Sequence, residues 1–193
     1  MTVGHRALVA YERTDGSYSL HHSQWGALGY VLLDELDSDH PFGAGEDWER
    51  RAHETILDGS DPAVPEAHDA RVDPRPRGSA DSLDALPGRF DFLEYEALFV
   101  VSTTVLVTAY QPLWFARALD DAAPSGDGAL VSIRRGSDPV ADAARVTAWF
   151  RGVADTVRAM HDSGTLSAES AREHLRSRVL EWEAERRTVL VGD

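Results

Sequence analysis

An α+β fold is expected, and three observations point to it. Two short apolar runs flank Asp15-Gly16, two further strand-like runs lie at 92–101 and 105–110, and the last third carries apolar residues at helical spacing. The expected architecture is a mainly antiparallel sheet of about five strands, helices on one face and a C-terminal helical hairpin. A chain of 193 residues suffices for one domain spanning 1–193.

The first element is a hairpin. Arg6 to Arg13 reads as an apolar strand and Ser17 to His22 as its return. Asp15-Gly16 suits a two-residue turn with positive φ at both positions. That loop would pair Tyr11 with Leu20 and Val9 with His22, and would place Leu8, Ala10, Ser19 and His21 on the opposite face. Leu28, Leu32 and Leu36 then recur every four residues, which predicts a helix over 25–36. Trp48, Ala52 and Ile56 mark a second helix over 47–57.

Residues 58–88 change character: five prolines punctuate an acidic stretch with little apolar content, expected as a loop or insertion. Strands are expected again at Phe92–Val101, at Val105–Tyr110 closed by Pro112, and at Ala129–Arg134. The predicted helical hairpin covers 138–187. Asp138-Pro139 caps its first helix, Gly164 ends it, and Ser167 caps the second. Thr188 to Val191 forms a short apolar tail.

Charge bounds the solvent. Asp plus Glu number 33 against 19 basic residues, a net of −14, and every one of the 19 is Arg. Spread over roughly 9,000 Å² of surface, such an imbalance opposes the compact state in dilute buffer. At 1 M salt the Debye length is ~3 Å and distant carboxylates hardly interact. A high-salt cytoplasm is therefore the expected setting. No apolar run approaches ~18 residues, so no membrane partner is expected. The N-terminus lacks a basic flank followed by an apolar stretch, so no secretory signal is expected either. With no Cys, thiol catalysis, disulfides and Cys-ligated metals are excluded.

The segment Gly4-His-Arg-Ala-Leu-Val-Ala-Tyr-Glu-Arg13, followed by Asp15-Gly16, Leu20-His21 and Trp25-Gly26, resembles the opening of a family of uncharacterised haloarchaeal proteins. Val107 to Tyr110 with Leu113-Trp114-Phe115, and Gly128 to Val131, are similar to its middle. The resemblance covers most of the chain apart from 44–88. The family has no assigned activity, so it implies no catalytic residue.

The usual nucleotide, zinc-protease and serine-hydrolase motifs are absent. A polar cluster on strands is the best candidate for chemistry. Glu94 and Glu96, two apart on one strand, would share a face, and beside His21 they would suit Zn²⁺ or Mn²⁺ in a metal-assisted hydrolase. The same residues also fit a solvated sheet face with no cofactor. Thr2 could serve as an N-terminal nucleophile, and Asp120, Asp121 and Asp127 could hold a cation in a loop. Arg134-Arg135 and Arg186-Arg187 are isolated basic pairs without an aromatic-interleaved stripe, so nucleic acid is not an expected partner. Trp114 and Phe115, after Pro112, are the expected anchor for a protein partner. The favoured role is a non-catalytic interaction or structural subunit, bound to other protein chains or to copies of itself.

Overall fold

The computed structural model of the chain describes residues 5–120 and 123–192. It is α+β, but the sheet is mixed and has seven strands in place of about five, in the order β3-β2-β1-β4-β5-β6-β7. Contacts divide the chain into two compact units, Met1–Ala85 with Glu94–Ala109, and Leu86–Leu93 with Tyr110–Asp193.

In the first unit β1 (Ala7–Glu12) and β2 (Tyr18–Ser23) form the expected antiparallel hairpin. Its register differs by one from the expected pairing: Tyr11 lies opposite Ser19 and Val9 opposite His21. The loop has three residues, since the Arg13 amide donates to the Ser17 carbonyl and only Gly16 adopts φ +84°. Asp15 instead accepts from the Ser17 amide and hydroxyl, an Asx arrangement that stabilises the longer loop. A one-residue shift reverses every side chain, so His21 shares a face with Val9 and Tyr11 rather than with Leu8 and Ala10.

The other neighbour of β1 is β4 (Ala97–Val101), which runs parallel to it with Ala7 opposite Ala97. This parallel pair makes the sheet mixed. The helix expected over 25–36 is broken, because Gly29 and Tyr30 both take left-handed backbone angles. Only α1 (Leu32–Glu35) is α-helical there. Leu32 and Leu36 are buried, whereas Leu28 is thrown outward. The expected second helix forms as α2 (Trp48–Leu57). Its buried Glu49 accepts three backbone amides, from Phe42, Ala44 and Glu46, and so fixes the loop before it.

The 58–88 stretch is irregular up to residue 77 but closely stitched to β2. Asp73 and Arg77 amides donate to the His22 and Leu20 carbonyls, and β3 (Gly78–Ala80) pairs with β2. These bonds satisfy an edge that would otherwise carry open backbone groups.

The second unit takes over within β5 (Val107–Trp114), which continues through Pro112 to pair antiparallel with β6 (Gly128–Ser132). The apolar tail becomes β7 (Val189–Val191) on β6. A short α3 (Leu86–Arg89) lies at the start of this unit. The two long helices are α4 (Pro139–Asp162) and α5 (Ala168–Leu180). Asp138 caps α4 by accepting from the Val140 and Ala141 amides, and Ser167 caps α5 through the Ser170 amide. One cluster forms the core: Leu113, Phe115, Ala129 and Val131 below, Val146, Phe150, Ala154 and Val157 from α4, and Ala171, Leu175 and Val179 from α5. No helix among the described residues is long and apolar enough to cross a membrane.

Candidate functional site

His21 lies fully buried at the centre of β2. Its Nδ1 is 2.9 Å from the Asp73 carbonyl, which can only accept, so Nδ1 carries the proton. Nε2 is then the acceptor for the Ser19 hydroxyl at 2.9 Å. Burial pushes the imidazole down to about 4. A Ser–His–carbonyl relay of this kind has the components of an activated nucleophile, but both side chains are sealed from solvent. The relay ties the 71–77 segment to the strand, as does the Ser23 hydroxyl, which donates to the Arg71 carbonyl.

Glu94 and Glu96 are not on a strand. β4 begins at Ala97, and both residues lie in the turn and bend before it. The expectation that they project together from one sheet face is thereby corrected. Glu94 lies 3.8 Å from Arg77, and Glu96 accepts from or shares a proton with His5 at 2.9 Å. His21, Glu94 and Glu96 do not meet, and among the described residues no three His, Asp or Glu side chains converge on a point.

The second unit buries its own polar network. Arg187 forms a two-pronged pair with Asp142, at 2.6 and 2.7 Å, and also donates to the Ser132 carbonyl. The guanidinium holds the Asp142 carboxyl below its ordinary value. Arg187 and Arg145 lie over the Trp182 ring, 4.9 and 5.1 Å from its centroid, and Trp149 meets that ring edge-on at 5.3 Å. Glu185 bridges Arg145 and Arg134. Of the basic residues expected as isolated pairs, Arg187 is thus committed to the buried Asp142 and Arg134 to Glu185 at the surface.

Surface clefts open in both units, besides a smaller one of about 230 Å³ beside Trp182. One, in the first unit, has a volume of about 470 Å³ and is walled by residues 22–35 and 68–75. The other, in the second unit, has a volume of about 390 Å³ and runs between the end of β5 and α4. The expected partner anchor divides here. Phe115 is fully buried in the core beneath α4 and is not available to a partner as placed. Trp114 is half-buried, lines the second cleft, and donates its Nε1 proton to the Ala123 carbonyl. Thr2 and Asp121 lie outside the described residues. Asp120 and Asp127 are engaged by Arg158 and Arg172, at 3.2 and 3.1 Å.

Neither cleft is evident from motif or spacing. The only sequence signals at the first are Trp25-Gly26 and a His and two Arg inside the proline-rich stretch, at His68, Arg71 and Arg75. No curated protein and no solved structure matches the chain. Its family model matches residues 3–191, including the 44–88 stretch outside the resemblance noted above, and the chain belongs to the family of unknown function DUF6735.

Proposed function

We propose that the chain is a non-catalytic interaction protein of a high-salt cytoplasm that associates with copies of itself through the cleft of its second unit. One observation carries this reading. Pro112, Leu113, Trp114, Ala116, Arg117, Thr147, Phe150 and Arg151 line that cleft, with two arginines, one of them (Arg117) 3.5 Å from Asp155, on a chain of net charge −14. Such a groove is complementary to an apolar knob carried by acidic residues. The chain itself offers one: Leu93 is 68% exposed in a turn flanked by Asp91, Glu94 and Glu96, the last two already near Arg77 and His5. The Ser19–His21 pair, by contrast, is sealed in the interior of the first unit.

Salt enters twice. It shields the carboxylates within one chain, and it screens the repulsion between two acidic copies while leaving apolar contact intact. Light scattering after size exclusion in molar salt tests the association. The wild type forms a dimer or larger assembly. Arg151→Glu and Leu93→Arg each release monomers of unchanged melting temperature, and the two together restore association. A wild-type monomer at every concentration, or association indifferent to both substitutions, overturns the reading. Its halophilic part has a separate check: dialysis from molar to millimolar salt lowers the melting temperature, and an unchanged melt contradicts it.

A further inference from the structure

Residues 71–77 form a strap along the part of the β2 edge that β3 leaves uncovered. Their backbone is irregular, and only Val72 and Pro74 among them are buried. Hydrogen bonds hold the strap down. The Asp73 and Arg77 amides donate to the His22 and Leu20 carbonyls at 2.8 and 2.7 Å, and the Val72 amide donates to the Phe42 carbonyl at 3.1 Å. The Ser23 hydroxyl donates to the Arg71 carbonyl and His21 Nδ1 to the Asp73 carbonyl. Two exposed ion pairs, Arg71–Glu35 and Arg77–Glu94, add little. A stretch with so few buried apolar side chains belongs to the part of a fold that opens first. β1, by contrast, is paired on both sides, to β2 and to β4.

His21 is the charge-sensitive group beneath the strap. From β1, Tyr11 meets its ring edge-on at 5.0 Å and Arg13 adds a positive charge. Phe42, from the loop before α2, lies 6.2 Å away between centroids. From α2, His53 packs on Tyr11, and Glu49 acts on the same phenol. Asp61 and the strap's own Asp73 favour a proton on the imidazole. On β2, Ser19 bonds to Nε2, while His22 projects to the opposite face of the strand.

Protonation of the ring breaks none of these bonds. Nδ1 already donates to Asp73, and the Ser19 hydroxyl can turn to accept from Nε2. What a proton adds is a full charge in a sealed site, where burial outweighs the two aspartates. Lifting the strap brings water to the ring, which then takes its proton at the ordinary value. The opened form thus binds a proton that the closed form refuses, and falling pH draws the strap open.

We infer that the 71–77 segment is an acid-released strap: protonation of His21 frees it from β2 while β1, β2 and β4 stay paired, and bares the Leu20 and His22 carbonyls. An edge opened in this way is a template for a further strand.

Native-state hydrogen exchange of the full chain in molar salt, resolved by amide NMR and corrected for the intrinsic pH dependence of exchange, tests the strap. The Asp73 and Arg77 amides exchange through a local opening, with a weaker dependence on added denaturant than Val9, which lies between β2 and β4. Their protection falls about 20-fold between pH 7 and pH 5, the change set by a proton taken at 6.5 when open and at about 4 when closed. His21→Asn keeps an N–H donor where Nδ1 stood and cannot titrate, so it removes most of that fall. Strap amides that share the denaturant slope of Val9, strap protection indifferent to pH, or an undiminished fall in His21→Asn overturns the inference. The wild type alone decides the first two outcomes.

Discussion

The two units hide polar groups in opposite ways. In the first, the interior holds mostly neutral ones, beside one carboxylate, Glu49, that three backbone amides satisfy. Tyr11 donates to the Pro41 carbonyl, His21 to the Asp73 carbonyl, and His53 packs against Tyr11 at 5.8 Å between ring centroids. In the second, the interior is apolar side chains from α4, α5 and the strands, with ion pairs, Asp142–Arg187 and the less buried Asp127–Arg172, at its edge. Neutral buried groups are costly once a proton is added, and a buried ion pair is costly once a partner is removed. The two halves should therefore fail under different insults.

The largest effect is expected at the ion pair. Arg187→Leu leaves Asp142 buried and unpaired, and should destabilise the chain by about 3–5 kcal/mol in denaturant unfolding. The double substitution of Asp142 and Arg187 by Leu should recover most of that loss, because no charge is then stranded. A single variant as stable as the wild type would show that solvent reaches the carboxylate.

Acid should act on the first unit. An unfolded imidazole takes its proton near the ordinary value of 6.5, whereas folded His21 takes it only at about 4. Between those values the unfolded chain binds more protons, so stability falls as pH drops from 6.5 towards 4 and is flat above 6.5. For His21 alone the loss approaches about 3 kcal/mol. His22 and His53, lowered by burial, act in the same direction. Asp142 is lowered from 3.8, so its contribution holds above that value and fades only below it. Hydrogen exchange read at Val9 and at Val157 should show the first amide losing protection at the milder pH. Equal loss at both would erase the distinction between the units.

Tyr11→Phe should cost about 2 kcal/mol, since it strands the buried Pro41 carbonyl without changing the ring. A smaller effect of about 1 kcal/mol is expected from Asp138→Ala, which removes the two amide bonds at the start of α4. Chemical denaturation checks both, and the second should leave the first unit's exchange untouched.

The same contrast explains what was legible in the sequence. α4 and α5 were readable because their caps and apolar spacing are local signals, and each long helix follows them closely. The first hairpin was readable as a hairpin, but its register was not. Register turned on whether Asp15 would sit in a two-residue turn or bond to Ser17, a choice of one residue that reverses the faces. The strand expected from Phe92 begins only at Ala97, where the parallel pairing to β1 starts, because Phe92 and Tyr95 are strand-like in type but lie in the turn before it. Pro112 looked like a strand end, yet β5 has three residues more than β4, and that extra length leaves room for a residue with no N–H. The candidate site was least legible. Cleft walls come from segments some forty residues apart, and the His21 relay depends on a carbonyl at Asp73, which has no side-chain signature.

The central claim is that the Ser19–His21 pair serves the interior of the first unit, tying the 71–77 segment to β2. Nitrogen-15 NMR of the His21 ring tests it most directly. The account predicts a neutral ring protonated at Nδ1, accepting a bond at Nε2, and untitrated until about pH 4. A ring that titrates near 6.5, or one protonated at Nε2 instead, would contradict it.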